Sequence, residues 1–287
     1  MGGPPTGLAR IAPALACPLC GGAPLDLGPA SARCPGGHGF DVARQGYAAF
    51  AVGAAARGDS PAMVAARDAF HAGGHYGRVR DGIVRLIPEG ARGLALDIAG
   101  GTGHYLAGVL DARPALDGLV IDASAAAARR AARSHPRAAA VTADVWRRLP
   151  LRDGCAACAV NAFGPRDGGE LARVMAGGGT LVVATARPGH LAELRQALGL
   201  LAVGRGKEER LDARLGGFAL AERVPVEYRV ELGAADLANL VLMGPNAFHR
   251  DAGQVRRDAV RLAPAQVSVA VMLSRYRRGG PVRYGTT

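Results

Sequence analysis

Between residues 93 and 186 the apolar positions fall in short blocks, several closing on an aspartate, and stretches of helical periodicity lie between them. "GLALDIAG", "GLVIDAS", "AVTADV", "CAACAVNAF" and "GTLVVATA" read as short apolar strands. "HYLAGVLDA" and "AAAARRAARSH" read as helices. Strand, helix, strand in this rhythm, from about residue 77, predicts an α/β fold: a doubly wound, mostly parallel sheet with ligands at the carboxyl ends of its strands. "SVAVMLSRYRR" alternates like an antiparallel edge strand.

The N-terminal segment has a different pattern, rich in glycine and proline and poor in large apolar groups. The chain of 287 residues is long enough for one substantial core and a small appended module. The expected division is residues 1–50 as that module and 51–287 as the main domain. A composition of 49% hydrophobic and 21% charged residues is that of a globular chain rather than a disordered one. Apolar runs stay short of the roughly 18 residues a membrane span needs, and Arg10 with its neighbouring prolines interrupts any signal segment, so an uncleaved N-terminus is expected. The 35 basic residues against 24 acidic ones give a net charge of +11, a field that draws polyanions, nucleic acid first among them. Lys207 is the only lysine, and the Arg, Ala and Gly bias of the chain accounts for part of that charge.

Within the N-terminal segment Cys17-Pro-Leu-Cys20 and Cys34…His38 form two close pairs of soft donors. Zinc takes four tetrahedral ligands of this kind, and four filled positions leave no site for a reactive water. The reading is one structural zinc held by Cys17, Cys20, Cys34 and His38, in a reducing cytoplasm, since five cysteines make no even disulfide set. Beyond it, Phe40, Arg44, Tyr47 and Phe50 suit either stacking on unpaired bases or packing onto the main domain. Cys155 and Cys158 point to opposite faces of an apolar strand and read as core residues.

The first turn of the main domain is Asp97-Ile98-Ala99-Gly100-Gly101-Thr102-Gly103, a glycine-rich turn between a strand and a helix. Its acid precedes the glycines, Asp122 ends the next strand and Asp144 follows the third. That pattern fits S-adenosylmethionine better than a dinucleotide. Asp97 is placed near the methionine end or under the loop, Asp122 at the ribose, Asp144 at the adenine edge and Gly103 in the turn.

The words "CPLC", "CPGGHGFDVARQGY", "GDSPAMVAARDAF", "GGHY", "LDIAGGTGHYL", "HPRA", "ADVWRRLPLRDG", "PGHLAELRQALGLL" and "LMGPNAFH" stand in this order along the chain. Through them the sequence resembles the bacterial 23S rRNA guanine-N1-methyltransferases, including the tylosin-resistance type, over nearly its whole length. The resemblance implies a class I methyltransferase sheet behind a zinc module. It also implies methyl transfer from S-adenosylmethionine to N1 of a guanine in a 23S rRNA hairpin loop near the peptide exit tunnel. In antibiotic producers that mark protects the ribosome against macrolides. It assigns Tyr76, Gly101, Thr102 and His190 to the cofactor site and Cys17, Cys20, Cys34 and His38 to zinc.

Three positions depart from the family pattern. Ala99 stands where a glycine is usual, a small cost if the backbone there has ordinary angles. Gly164 stands where alanine is usual, and the asparagine that usually follows Tyr47 is missing. In this architecture the loop Asn161-Ala162-Phe163-Gly164-Pro165-Arg166 holds the target base. Asn161 is expected to bond the cofactor or the guanine edge, Phe163 to pack beside the base, and Arg166 to bind phosphate. The arginines at 129, 130, 133, 147, 148, 256, 257, 275, 277 and 278 are candidates for the RNA backbone, several of them on merely solvated faces. Two rivals stand beside this reading: a small-molecule methyltransferase that kept the zinc module, and a non-catalytic rRNA-binding protein. The general base, the hairpin guanine, naked rRNA against a ribosomal particle, and monomer against homodimer stay open.

Overall fold

In a computed structural model describing residues 3, 5–51, 58–200 and 207–279, the apolar blocks become neighbouring parallel strands. Leu201, which ends the word "PGHLAELRQALGLL", lies outside the described residues. Three short strands, β1 (Asp26–Leu27), β2 (Ser31–Arg33) and β3 (Gly39–Asp41), form a small antiparallel sheet of their own. The main sheet comprises β4 (Tyr47–Ala49), β5 (Gly93–Ile98), β6 (Leu116–Asp122), β7 (Ala138–Thr142), β8 (Ala156–Ala162), β9 (Met175–Ala186), β10 (Phe218–Leu232) and β11 (Ala265–Arg278). Its order is β10-β11-β9-β8-β5-β6-β7-β4. All pairs from β4 to β9 are parallel, and β11 and β10 are antiparallel.

Side chains alternate across each strand, so the sheet divides the core into two layers. Ala95, Val120, Cys158, Val160 and Val182 face one layer, which is covered by Phe70, Ile83, Leu106 and Leu237. Leu94, Leu96, Ile121, Ala159 and Val183 face the other, which is covered by Leu8, Ile11, Leu171 and Leu211. Cys155 packs against this second layer and Cys158 lies in the first, the opposite-face placement expected of them.

Two elements differ from the sequence reading. The segment 268–278 is antiparallel, but it lies inside the sheet between β9 and β10 rather than at its edge. The edge strand is β10, whose Val224, Val226, Tyr228 and Val230 pack on the core while Glu227, Arg229 and Glu231 intervene. Pro225, which has no amide to donate, is tolerated on such an edge. At the other edge β4, from the N-terminal segment, joins the main sheet beside β7 with Ala48 opposite Val141. Phe40 and Phe50 are both buried in the second layer with ring centroids 4.8 Å apart, which removes them as base-stacking surfaces.

Candidate active site

Cys17, Cys20, Cys34 and His38 converge, their ligand atoms all within 4.8 Å of one another. His38 Nδ1 is 3.7 Å from the Cys17 sulfur, 3.0 Å from Cys20 and 3.4 Å from Cys34. The Cys20 and Cys34 sulfurs are 3.5 Å apart. With metal–sulfur bonds of about 2.3 Å, the corners of a tetrahedron stand about 3.8 Å apart, so three thiolates and an imidazole at this spacing fit one zinc. The Cys20 amide points at the Cys17 sulfur from 3.4 Å, support that a thiolate ligand needs. Arg148 donates to the Gly21 carbonyl at 2.8 Å and Leu15 bridges to Leu151, which ties this cage to the main domain.

Sheet order reverses between β5 and β8, and the glycine turn sits at the carboxyl end of β5 beside that point. Asp97 is fully buried, and neither carboxylate oxygen meets a hydrogen-bond partner among the described residues. Burial and the charge of Asp122 raise its pKa to about 8. Asp122 accepts the Gly101 and Ser124 amides, each at 2.9 Å, and so pins the turn. Asp144 accepts the Trp146 amide at 3.0 Å and lies 3.7 Å from Arg147.

The word "GDSPAMVAARDAF" finds its purpose here. A Cβ on Gly58 would stand 2.6 Å from the Ser124 amide nitrogen, so only glycine lets this loop close on the end of β6. The Asp59 carbonyl accepts the Ser124 hydroxyl at 2.7 Å, and its carboxylate pairs with Arg67. Arg67 in turn donates to the Met243 carbonyl at 2.6 Å. Ser60 caps the helix Pro61–Ala72, accepting the Met63 amide at 3.3 Å, with proline at its first turn.

Tyr76, Phe163 and His190 form an aromatic cluster in the same site. The Tyr76 hydroxyl and His190 Nε2 are 3.2 Å apart, and the Phe163 and His190 rings lie nearly parallel with centroids 6.0 Å apart. One cavity of about 950 Å³ is lined by Tyr76, Asp97, Gly101, Asp122, Asp144, Phe163 and His190. Thr102, Gly103 and Asn161 stand behind that surface rather than on it. Asn161 is fully buried; its amide donates to the carbonyls of Ile98 at 2.8 Å and Pro165 at 3.1 Å, and its oxygen accepts from Arg166 at 2.6 Å. It braces the end of β5 against the loop after β8. Arg166 donates through the same nitrogen to the Gly164 carbonyl at 3.1 Å and lines the cavity.

Ala99 has φ 52°, in the left-handed region where alanine is strained, so the ordinary-angle condition fails. A Cβ added to Gly164 would lie 2.7 Å from the Ala99 methyl. The two departures from the family pattern are therefore one exchange: the methyl at 99 fills the space that a methyl at 164 would take.

The RlmA N-terminal zinc-ribbon family model matches residues 15–50, the segment that carries the cage. A Micromonospora griseorubida protein named as a 23S rRNA (guanine-N(1)-)-methyltransferase is 41% identical over 290 residues, spanning 93% of this chain and 98% of its own. The 23S rRNA (guanine(748)-N(1))-methyltransferase of Streptomyces fradiae is 44% identical over 260 residues, 86% of this chain and 90% of its own. This chain belongs to the 23S rRNA (guanine-N1)-methyltransferase family. Among solved structures, a chain of the complex between the Haloferax volcanii Trm112 methyltransferase activator and a methyltransferase superposes with TM-score 0.50 at 18% identity. The match spans 78% of this chain and 99% of that one, a likeness of fold alone.

The methyltransferase fold implies S-adenosylmethionine, and the zinc ribbon implies one structural zinc. The cavity floor fits the former. Beside the unpaired Asp97 oxygens, the Tyr105 hydroxyl and His71 Nδ1 are also buried without partners among the described residues. Unpaired buried polar atoms are costly, and together these suit the polar end of an amino acid. His71 is neutral, its pKa lowered to about 2 by burial, with His104 stacked on it at 4.1 Å. Sequence reasoning missed Arg67, His71 and Tyr105. The signals were present: Arg67 and His71 are four apart on one helix face, and Tyr105 is the second residue of the helix that follows the turn.

Proposed function

We propose that this methyltransferase moves the methyl group of S-adenosylmethionine to N1 of a guanine in a hairpin loop of 23S rRNA near the peptide exit tunnel, a mark that protects the ribosome against macrolides. The observation that carries the reading is the cavity, which buried acids and aromatic rings line together. Residues 1–50 act as a zinc-binding RNA-recognition module and 51–287 as the catalytic domain, with β4 passing from the first into the sheet of the second. The work is cytoplasmic; no described helix is long and apolar enough to cross a membrane.

Bound S-adenosylmethionine supplies a methyl group on a sulfonium with a good leaving group. Asp97, Tyr105 and His71 take its amino-acid end. Asp122, whose oxygens keep spare lone pairs beyond the two amides they accept, takes the ribose hydroxyls. Asp144 takes the adenine edge, and Gly101 gives the backbone close approach while Thr102 and Gly103 shape the turn behind it. His190 Nδ1 accepts the Ala270 amide at 3.3 Å, so Nε2 carries the proton and donates to the Tyr76 oxygen. That directs the Tyr76 hydroxyl proton onward, to a ligand in the cavity. Phe163, 41% exposed, packs beside the target base, and Asn161 positions it by holding the loop. Aligning N1 with the methyl carbon converts a bimolecular encounter into a positioned displacement.

The test is mass spectrometry of nucleosides from unmodified 23S rRNA and from subunit particles, incubated with the protein and isotopically labelled S-adenosylmethionine. Labelled 1-methylguanosine is the expected product. Cofactor binding without any labelled nucleoside would transfer the reading to a small-molecule acceptor.

A further inference from the structure

Four side chains at the cavity have no part in the account so far. Trp146 and Phe248 both line it, yet they are 56% and 49% exposed. Trp146 follows Asp144, whose carboxylate holds its amide, and Phe248 ends the short turn Pro245–Phe248. Arg210 and Arg214 line the same cavity from the helix Lys207–Arg214. They are four apart on one helix face, exposed, and without an ion-pair or hydrogen-bond partner among the described residues. The helix that carries them is anchored: Leu211 is buried, and Asp212 accepts from Tyr276 at 2.6 Å and pairs with Arg223 at 2.6 Å.

Exposed aromatic faces interleaved with unpaired arginines are the composition that binds unpaired nucleic acid, because every base offers a π-face and every linkage a phosphate. Asp122 and Asp144 repel phosphate from their part of the cavity lining, whereas Arg210 and Arg214 attract it. We propose that Trp146, Phe248, Arg210 and Arg214 form a collar that takes the unpaired nucleotides flanking the target base. Their bases stack on the two aromatic rings and their phosphates lie on the two guanidinium groups. The collar rests on the rRNA reading above and adds a source of selectivity to it: bases paired in an A-form helix present no free faces to stack.

Trp146 is the only tryptophan in the chain, so its fluorescence reports the collar directly. The zinc-loaded full chain is titrated with a 23S rRNA hairpin fragment, with the same stem closed as a continuous duplex, and with S-adenosylhomocysteine alone. Saturable quenching by the hairpin, and by neither of the others, is expected. Phe248→Ala should weaken hairpin binding about tenfold with S-adenosylhomocysteine affinity intact. Arg210→Gln/Arg214→Gln should lower the slope of log affinity against log salt by about 1.4. Hairpin binding without quenching, equal quenching by duplex, quenching by S-adenosylhomocysteine alone, or unchanged affinity in both variants overturns the collar. Formation of labelled 1-methylguanosine by a protein showing any of these would retain the proposed reaction. Loop-selective quenching without methylation would retain the collar and remove the reaction.

Discussion

The zinc cage and the cavity are both polar sites, but they are assembled in opposite ways. The cage draws all four donors from the stretch between Cys17 and His38, and its geometry follows from two tight turns. The cavity draws on the loop at 58–60, the helix Pro61–Ala72, the turn after β5, the ends of β6 to β9 and the helix Lys207–Arg214. A local site tolerates a modest framework provided the metal is bound, whereas an assembled site depends on every segment arriving in register. The contrast also separates their failure modes: loss of one ligand should unmake the cage locally, while loss of one cavity residue should cost affinity without unfolding.

The largest effect expected follows from Cys34→Ser. Zinc binding supplies about 10 kcal/mol or more to small modules of this kind. The variant should lose its zinc by elemental analysis and lose amide protection across residues 15–50, with β5 to β9 still protected. Full zinc retention, or collapse of protection in the whole main sheet, would erase the distinction between a local and an assembled site.

Asp97→Asn comes next. Removing a charged partner from a buried amino group costs about 2–3 kcal/mol, so S-adenosylhomocysteine affinity should fall roughly 30- to 150-fold by calorimetry. Asp97 also sets a pH signature. Between its ordinary value of 3.8 and about 8 the folded chain holds a proton that the unfolded chain has released, so ligand-free stability falls as pH rises through that window. An incoming ammonium expels that proton, and binding at neutral pH should release it into buffer. Asp97→Asn should abolish the release and flatten the pH dependence of denaturation; release that persists would place the proton elsewhere.

Gly164→Ala sharpens the comparison at a single methyl. Overpacking against Ala99 should cost about 1–3 kcal/mol of stability in denaturant titration. Ala99→Gly should restore it in the double variant, with a coupling of about 1–2 kcal/mol, and should relieve the left-handed alanine as well. Additive costs would mean that the two positions do not share that space.

The smallest effect belongs to Tyr105→Phe, about 1 kcal/mol. It should weaken S-adenosylhomocysteine several-fold and leave 5′-methylthioadenosine, which lacks the amino-acid end, unchanged. Equal losses for both compounds would move Tyr105 away from that end of the cofactor.

Much of this architecture was legible because its signals are short-range. The strand at 93–98 and the helix at 104–112 follow from side-chain periodicity, and the four zinc donors from ligand spacing. β10 escaped notice because its Val-Pro-Val-Glu-Tyr-Arg-Val-Glu run is half polar, as a one-sided edge strand must be. The partners of Asn161 were not legible for a different reason: a polar residue at a strand end reads the same whether it faces a ligand or a carbonyl of the neighbouring strand.

By itself the sequence determined the rhythm of strands and helices, the identity of the zinc donors and the acids that close the strands. Each depends on residues a few positions apart. Only the tertiary structure decided that Asp97, Tyr105 and His71 have atoms unpaired among the described residues in one buried space, and that Ala99 and Gly164 share one methyl's volume. It also decided that Trp146, Phe248, Arg210 and Arg214 line the same cavity. Burial, excluded volume and charge at a cavity are properties of packed neighbours, and neighbours brought together by chain crossovers leave no spacing in the sequence to read.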